Sequence, residues 1–162
     1  MTLLQLTAVE RLIELPEGPP LEILRDINLT VDLGDRISIV GRSGSGKSTL
    51  LNILGMVDSP TVGTMVWEGQ AVQTMKPQQR DSIRGDSVGF IFQQFNLIEG
   101  LSATENVAMP LVYCNDQRFW QRRELARNML HLVGLGHRLE APVTTLSGGE
   151  QQRVAIARAL VR

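Results

Sequence analysis

Gly41-Arg42-Ser43-Gly44-Ser45-Gly46-Lys47-Ser48 is the stretch on which the fold turns. It matches the pattern G-x-x-x-x-G-K-[ST]. Before it, Arg36-Ile37-Ser38-Ile39-Val40 is a β-branched run bounded by Gly34 and Gly41, which predicts a short buried strand. After it, Ser48 to Leu54 takes helical spacing, with Leu50, Leu51, Ile53 and Leu54 as the apolar face. Gly41, Gly44 and Gly46 permit backbone angles and close approach that a Cβ would block. The N–H groups of such a loop converge on an anion, and the following helix adds its positive N-terminal end. Lys47 brings a full charge to the β- and γ-phosphates, Ser48 offers a hydroxyl to Mg²⁺, and Thr49 is placed for the α-phosphate. Gly41, Arg42, Ser43, Gly44, Ser45, Gly46, Lys47, Ser48 and Thr49 are therefore the candidate nucleotide-binding residues. A chance lysine in a glycine-rich turn would not carry these flanks.

Working outward, Pro16-Glu17-Gly18-Pro19-Pro20 reads as a surface loop between two early strands, the second over Leu21 to Asp32. Thr64 to Trp67 reads as a strand followed by a turn at Glu68-Gly69, and Val88 to Phe92 as another short buried strand. Beyond that point the pattern becomes helical. Ser102 and Glu105 have capping-box spacing, so a helix should start near Ala103 and end or bend at Pro110. Gln117 to Val133 carries Leu125, Met129, Leu130, Leu132 and Val133 at helical spacing, with Gly134 placed to stop it. Arg118, Arg122, Arg123 and Arg127 read as its solvated face. The first 93 residues thus form a strand-rich part and residues 94–162 a helical part of a single unit.

The whole chain limits the reading. It has 162 residues, one domain by length, and a formal net charge of −1. That balance argues against nucleic-acid binding by bulk charge. The apolar runs are far shorter than the ~20 residues of a membrane span, and Met1 to Arg11 lacks the basic-then-apolar layout of a secretory leader. The single Cys114 has no internal disulfide partner, which fits a reducing compartment, and it reads as a small packing residue beside Tyr113. His131 and His137 read as solvent-facing polar residues.

A second motif, Leu146-Ser147-Gly148-Gly149-Glu150-Gln151-Gln152-Arg153, precedes the apolar helix VAIARALV. Ser147 is a good N-cap, Glu150 completes a capping box, and Gly148 and Gly149 leave the first-turn amides uncovered. A hydroxyl beside bare helix amides suits a terminal phosphate. Alone, this could equally be an ordinary capped helix. Together with the glycine loop about a hundred residues earlier, it resembles the ATP-binding cassette (ABC) family, with Leu146, Ser147, Gly148, Gly149, Glu150 and Gln151 as that family's signature. Glu150 stands where glutamine is usual. Phe90-Ile91-Phe92-Gln93-Gln94-Phe95-Asn96-Leu97 resembles the family's Q-loop, with Gln94 as the alternative to Gln93. Gly89 to Leu111 and Leu146 to Leu160 resemble the branch of lipoprotein-releasing, macrolide-exporting and cell-division ATPases.

The resemblance implies a P-loop α/β core with an antiparallel β arm and a helical subdomain. It implies ATP and Mg²⁺ as ligands, with Lys47, Gln93 and Ser147 in catalytic roles and Ser48 and Gln93 near the metal. It implies a head-to-tail dimer with a second nucleotide-binding subunit, each ATP lying between one subunit's loop and the other's signature. An integral membrane transporter subunit would be the driven partner, which places the chain in the cytoplasm against the inner face of the plasma membrane. Two departures stand out. No aromatic residue is present between Arg11 and Pro16 to stack on adenine, so Leu15 is the candidate contact. The family continues past its signature helix into a strand ending in Asp-Glu, then a switch histidine, and no Asp-Glu pair occurs in this sequence. The expectation is a core missing its C-terminal part, slow or absent hydrolysis by this chain alone, and an unpaired apolar edge near Ile37 to Val40. The rival readings are a non-catalytic nucleotide-binding module and an unrelated P-loop kinase or NTPase.

Overall fold

The computed structural model describes residues 1–114 and 116–162. They divide into two compact units, Met1–Asp81 and Ser82–Arg162, each with its own core.

In the first unit, β1 (Thr2–Ile13) and β2 (Leu21–Asp32) form a long antiparallel hairpin in which Thr2 faces Asp32 and Ile13 faces Leu21. β3 (Val62–Trp67) pairs on the other side of β1, and the two-residue β4 (Gln70–Ala71) completes an antiparallel sheet of order β2-β1-β3-β4. Leu4 and Leu6 point inward by simple alternation. The next inward residue is Val9, because the register slips between Leu6 and Val9, where Ala8 takes φ +47°. Ala8 N–H donates to Asn28 Oδ1 at 2.8 Å, so the slip is pinned from β2. The other buried apolar residues of this unit include Ile53, Met56, Met65, Trp67, Val72 and Met75.

Helix α1 (Lys47–Leu54) follows the glycine loop as expected. Its apolar face is narrower than the helical spacing suggests: Ile53 is buried, but Leu51 is 51% exposed. The run Arg36 to Val40 does not form the expected strand. It carries no ladder hydrogen bonds, Ile37 is 47% exposed and Val40 is 87% exposed. The same correction applies to Val88 to Phe92, where Ile91 and Phe92 are exposed. A β-branched run sets a preference for extended backbone, but a strand exists only with a partner to accept and donate its hydrogen bonds, and neither run has one among the described residues.

Helix α2 (Pro77–Ser87) spans the boundary between the units. In the second unit, α3 (Ala103–Ala108) gives way at Pro110 to a 3₁₀ stretch, Met109–Tyr113. α4 (Gln117–Leu132) starts on Asp116, whose carboxylate accepts from Arg118 N–H at 2.8 Å, and Gly134 at φ +76° ends it. α5 (Gly148–Leu160) carries the second motif at its start. Ala103, Val107, Leu111, Ala126, Leu130, Leu135, Val154 and Ala157 form the core, with Cys114 half-buried against it. Of the α4 arginines, Arg123 and Arg127 are exposed as expected, while Arg118 and Arg122 are half-buried. Arg118 bridges Asp116 and Asp86, Arg127 pairs with Glu140 at 2.6 Å, and Arg122 lies 4.5 Å from the Phe119 ring centre. His131 and His137 are exposed.

Candidate functional site

The glycine loop, in the first unit, is a backbone structure. Gly46 takes φ +83° as the N-cap of α1, and no side chain caps the helix. A Cβ on Gly46 would lie 2.7 Å from Ile23 O and 2.8 Å from Leu24 Cδ2, so only glycine fits there. The first helical hydrogen bond is Leu50 N–H to Gly46 O at 2.9 Å. The amides of Lys47, Ser48 and Thr49 therefore precede the helical ladder, and no acidic residue stands in this first turn. Lys47 Nζ donates to Gly41 O at 3.1 Å and to Arg42 O at 2.6 Å. Two of its three N–H groups hold the ammonium against the loop, leaving the third for an incoming oxygen. Donors and positive charge converge here without a competing carboxylate, which is what a polyphosphate requires. The Ser48 hydroxyl at the exposed end of α1 is a hard oxygen donor of the kind that would suit Mg²⁺.

The second motif, in the other unit, is built differently. Ser147 Oγ accepts from Glu150 N–H at 3.3 Å, and Ser147 N–H donates to Glu150 Oε2 at 2.9 Å. The capping box expected from the sequence is therefore complete. Ser147 Oγ also donates to Glu150 Oε2 at 2.9 Å. The Ser147 backbone hydrogen bond holds the Glu150 carboxyl below the usual carboxylate range, with its side-chain bond and Arg138 adding to it. Arg138 Nε reaches Glu150 Oε1 at 3.3 Å, a partner that no sequence motif flags. The amides of Gly148 and Gly149 remain, with open space beside Gly148. Gln151 is half-buried, and its Nε2 donates to Val143 O at 3.0 Å and Leu146 O at 3.2 Å. These two bonds fix the approach to α5.

Gln93 and Gln94, both exposed, are the central residues of a turn closed by Phe95 N–H to Phe92 O at 3.0 Å. Beyond this turn the chain is tied to α3 by buried Asn106. Its Oδ1 accepts from Ile98 N–H at 2.7 Å, and its Nδ2 donates to Ile98 O, Leu101 O and Ser102 O. Buried Thr104 similarly donates to Leu139 O at 2.8 Å. Both are polar residues inside a short helix, which the hydrophobic pattern passes over. Their signal is a polar side chain on the inward face between Ala103 and Val107.

An uncapped glycine loop with its lysine, and separately a glycine-rich helix start with a complete capping box, are motifs of the nucleotide-binding cassette class. The family model described as ABC transporter matches residues 24–162, and the chain belongs to that family. Among its relatives, the macrolide export ATP-binding/permease protein MacB of Syntrophobacter fumaroxidans is 49% identical over 140 residues, covering 86% of this chain and 20% of that protein. The lipoprotein-releasing system ATP-binding protein LolD of Shewanella denitrificans is 47% identical over 140 residues, covering 86% of this chain and 60% of that protein. The chain thus spans about a fifth of the MacB relative and about three-fifths of the LolD relative. The ATP-binding cassette MJ0796, solved as a dimer in a post-hydrolysis state bound to ADP and Pi, matches with a TM-score of 0.85 and 40% identity, over 98% of this chain and 69% of that one. The architecture is that of an ABC ATPase, a nucleotide-binding fold.

Proposed function

We propose that the chain is the ATP-binding part of a MacB- or LolD-type transporter, whose ATP cycle drives an integral membrane subunit. The carrying observation is the uncapped start of α1 with the Lys47 ammonium held over its loop. Gly41 to Thr49 bind the phosphates of ATP; Ser48 would hold Mg²⁺, whose charge would offset that of the phosphates, and Gln93 would be the second residue to serve that ion. Leu146 to Gln151 serve the nucleotide of a second, head-to-tail copy or homologue. There Ser147 and the Gly148 and Gly149 amides meet the terminal phosphate, while Gln151 shapes the segment. Residues 1–93 act as core and arm and 94–162 as helical subdomain of one cassette. Among the described residues no helix is long and apolar enough to cross a membrane, so within this reading the crossing belongs to the partner. The chain then works at the cytoplasmic face of the membrane.

The test is calorimetric titration with Mg·ATP. A hydrogen bond to a charged group is worth ~1.5–3 kcal/mol, so Lys47→Ala should weaken binding about 10- to 100-fold. An unchanged affinity, or phosphate transfer to a small acceptor by the wild type, would sink the proposal.

A further inference from the structure

The turn that carries Gln93 is held by one side chain from far along the sequence. After the turn closed by Phe95 N–H on Phe92 O, a tighter one follows, with Asn96 N–H donating to Gln94 O at 2.6 Å. Phe95 takes φ +57° and Asn96 φ +46°. Two successive non-glycine residues in the left-handed region need an external hold, and a bulky aromatic residue disfavours it most. The hold comes from Arg158 on α5. Its two terminal nitrogens donate to consecutive carbonyls, Phe95 O at 2.5 Å and Asn96 O at 2.6 Å. The guanidinium is a rigid planar fork and suits two adjacent acceptors, whereas an ammonium is a point donor.

The other shoulder of the turn rests on the same helix end. A Cβ on Gly89 would lie 2.3 Å from Ala159 O, so the backbone there runs against the last turn of α5. Arg158 stands ten residues after Gly148, ~15 Å along the axis at 1.5 Å per residue. One helix therefore carries the Ser147–Glu150 opening at its start and grips the Gln93 turn near its end. We infer that Arg158 is a positioning residue, fixing the left-handed pair Phe95–Asn96 so that Gln93 moves as one body with the signature helix. This rests on the proposed function only where it gives Gln93 a role toward Mg·ATP.

Hydrogen–deuterium exchange on the full chain tests the hold directly. Arg158→Met should speed exchange of the Phe95 and Asn96 amides about tenfold or more, while amides in the core at Val107 and Leu130 keep their protection. Arg158→Lys should fall between. Adding Asn96→Gly to Arg158→Met should restore much of the protection, because glycine holds positive φ without help. Unchanged exchange in Arg158→Met, loss spread evenly over the unit, or no restoration by Asn96→Gly would overturn the inference. The second arm compares ATP affinity with and without Mg²⁺. Gln93→Ala and Arg158→Met should each reduce the Mg²⁺ enhancement, and the double variant should lose no more than either alone. Additive losses would separate Arg158 from Gln93 and overturn the coupling. If the wild type binds no Mg·ATP, the proposed function fails, and the exchange arm alone decides whether Arg158 holds the turn.

Discussion

Two helix starts in this protein share a glycine-rich approach and solve the same problem in opposite ways. α1 begins on Gly46, with no side-chain cap and no acidic residue in its first turn. α5 begins on Ser147, with both halves of its capping box made by Glu150. At α1 the free amides lie beside the Lys47 ammonium, so the charge already present favours an anion. At α5 the protein's own carboxylate occupies the anion's place, with Arg138 balancing it, and only Gly148 and Gly149 stay uncovered. The first presents its donors without further change. The second is stable on its own, and an incoming phosphate must meet the two glycine amides beside an existing negative charge or displace Glu150 from Ser147.

The two starts should separate most clearly when one methyl group is added at each. Gly46→Ala forces a Cβ against Ile23 O at φ +83°, and left-handed strain plus the clash should cost about 2–4 kcal/mol and abolish nucleotide binding. Gly149→Ala should instead leave the fold intact or stabilise it by about 0.5 kcal/mol, since only Arg153 Nη1, at 4.0 Å, approaches its Cβ. Denaturant midpoints of the two variants decide the point; equal destabilisation would mean that the starts are not different in kind. Next in size is Ser147→Ala, which removes a side-chain cap and should cost about 1 kcal/mol, read as faster exchange in the first turn of α5. α1 has no such cap to lose.

The smallest expected effect is in pH. Glu150 is held below its ordinary value mainly by the Ser147 backbone hydrogen bond, so its contribution is present above the usual carboxylate range. It is lost as pH falls through the depressed value, because the unfolded chain takes up the proton first. Glu105, in the capping box of α3, is lowered in the same way by the Ser102 backbone hydrogen bond. Denaturation of wild type and Glu150→Gln in parallel isolates the Glu150 share: the wild type should weaken more on acidification. Identical pH profiles would show that the α5 box carries no charge dependence.

Both helix starts are legible in the sequence because their chemistry is local. A cap binds a residue two or three positions on, and a glycine's freedom belongs to its own backbone. The ends of β2 and the stop at Gly134 are legible for the same reason. The runs at Arg36 to Val40 and Val88 to Phe92 carry the composition of strands without forming them, because an apolar run does not specify its pairing partner. α2 leaves little trace in the hydrophobic pattern because it buries no residue; its one signal is Pro77 at the first position. The slip at Ala8, which turns Val9 inward, is equally silent, since strict alternation from Leu6 would put Ala8 inside.

The chain's order of residues pointed to phosphate chemistry, through glycine spacing, one lysine and the hydroxyls of Ser48 and Thr49 within nine positions. It also settled the family, through a second motif of the same local kind. Folding in three dimensions chose which polar residues do the holding. Asn106 binds the backbone of Ile98, and Arg158 reaches Asn96 from 62 residues away. Such bonds depend on where packed helices bring distant backbone groups together, and no periodicity along the chain encodes that meeting.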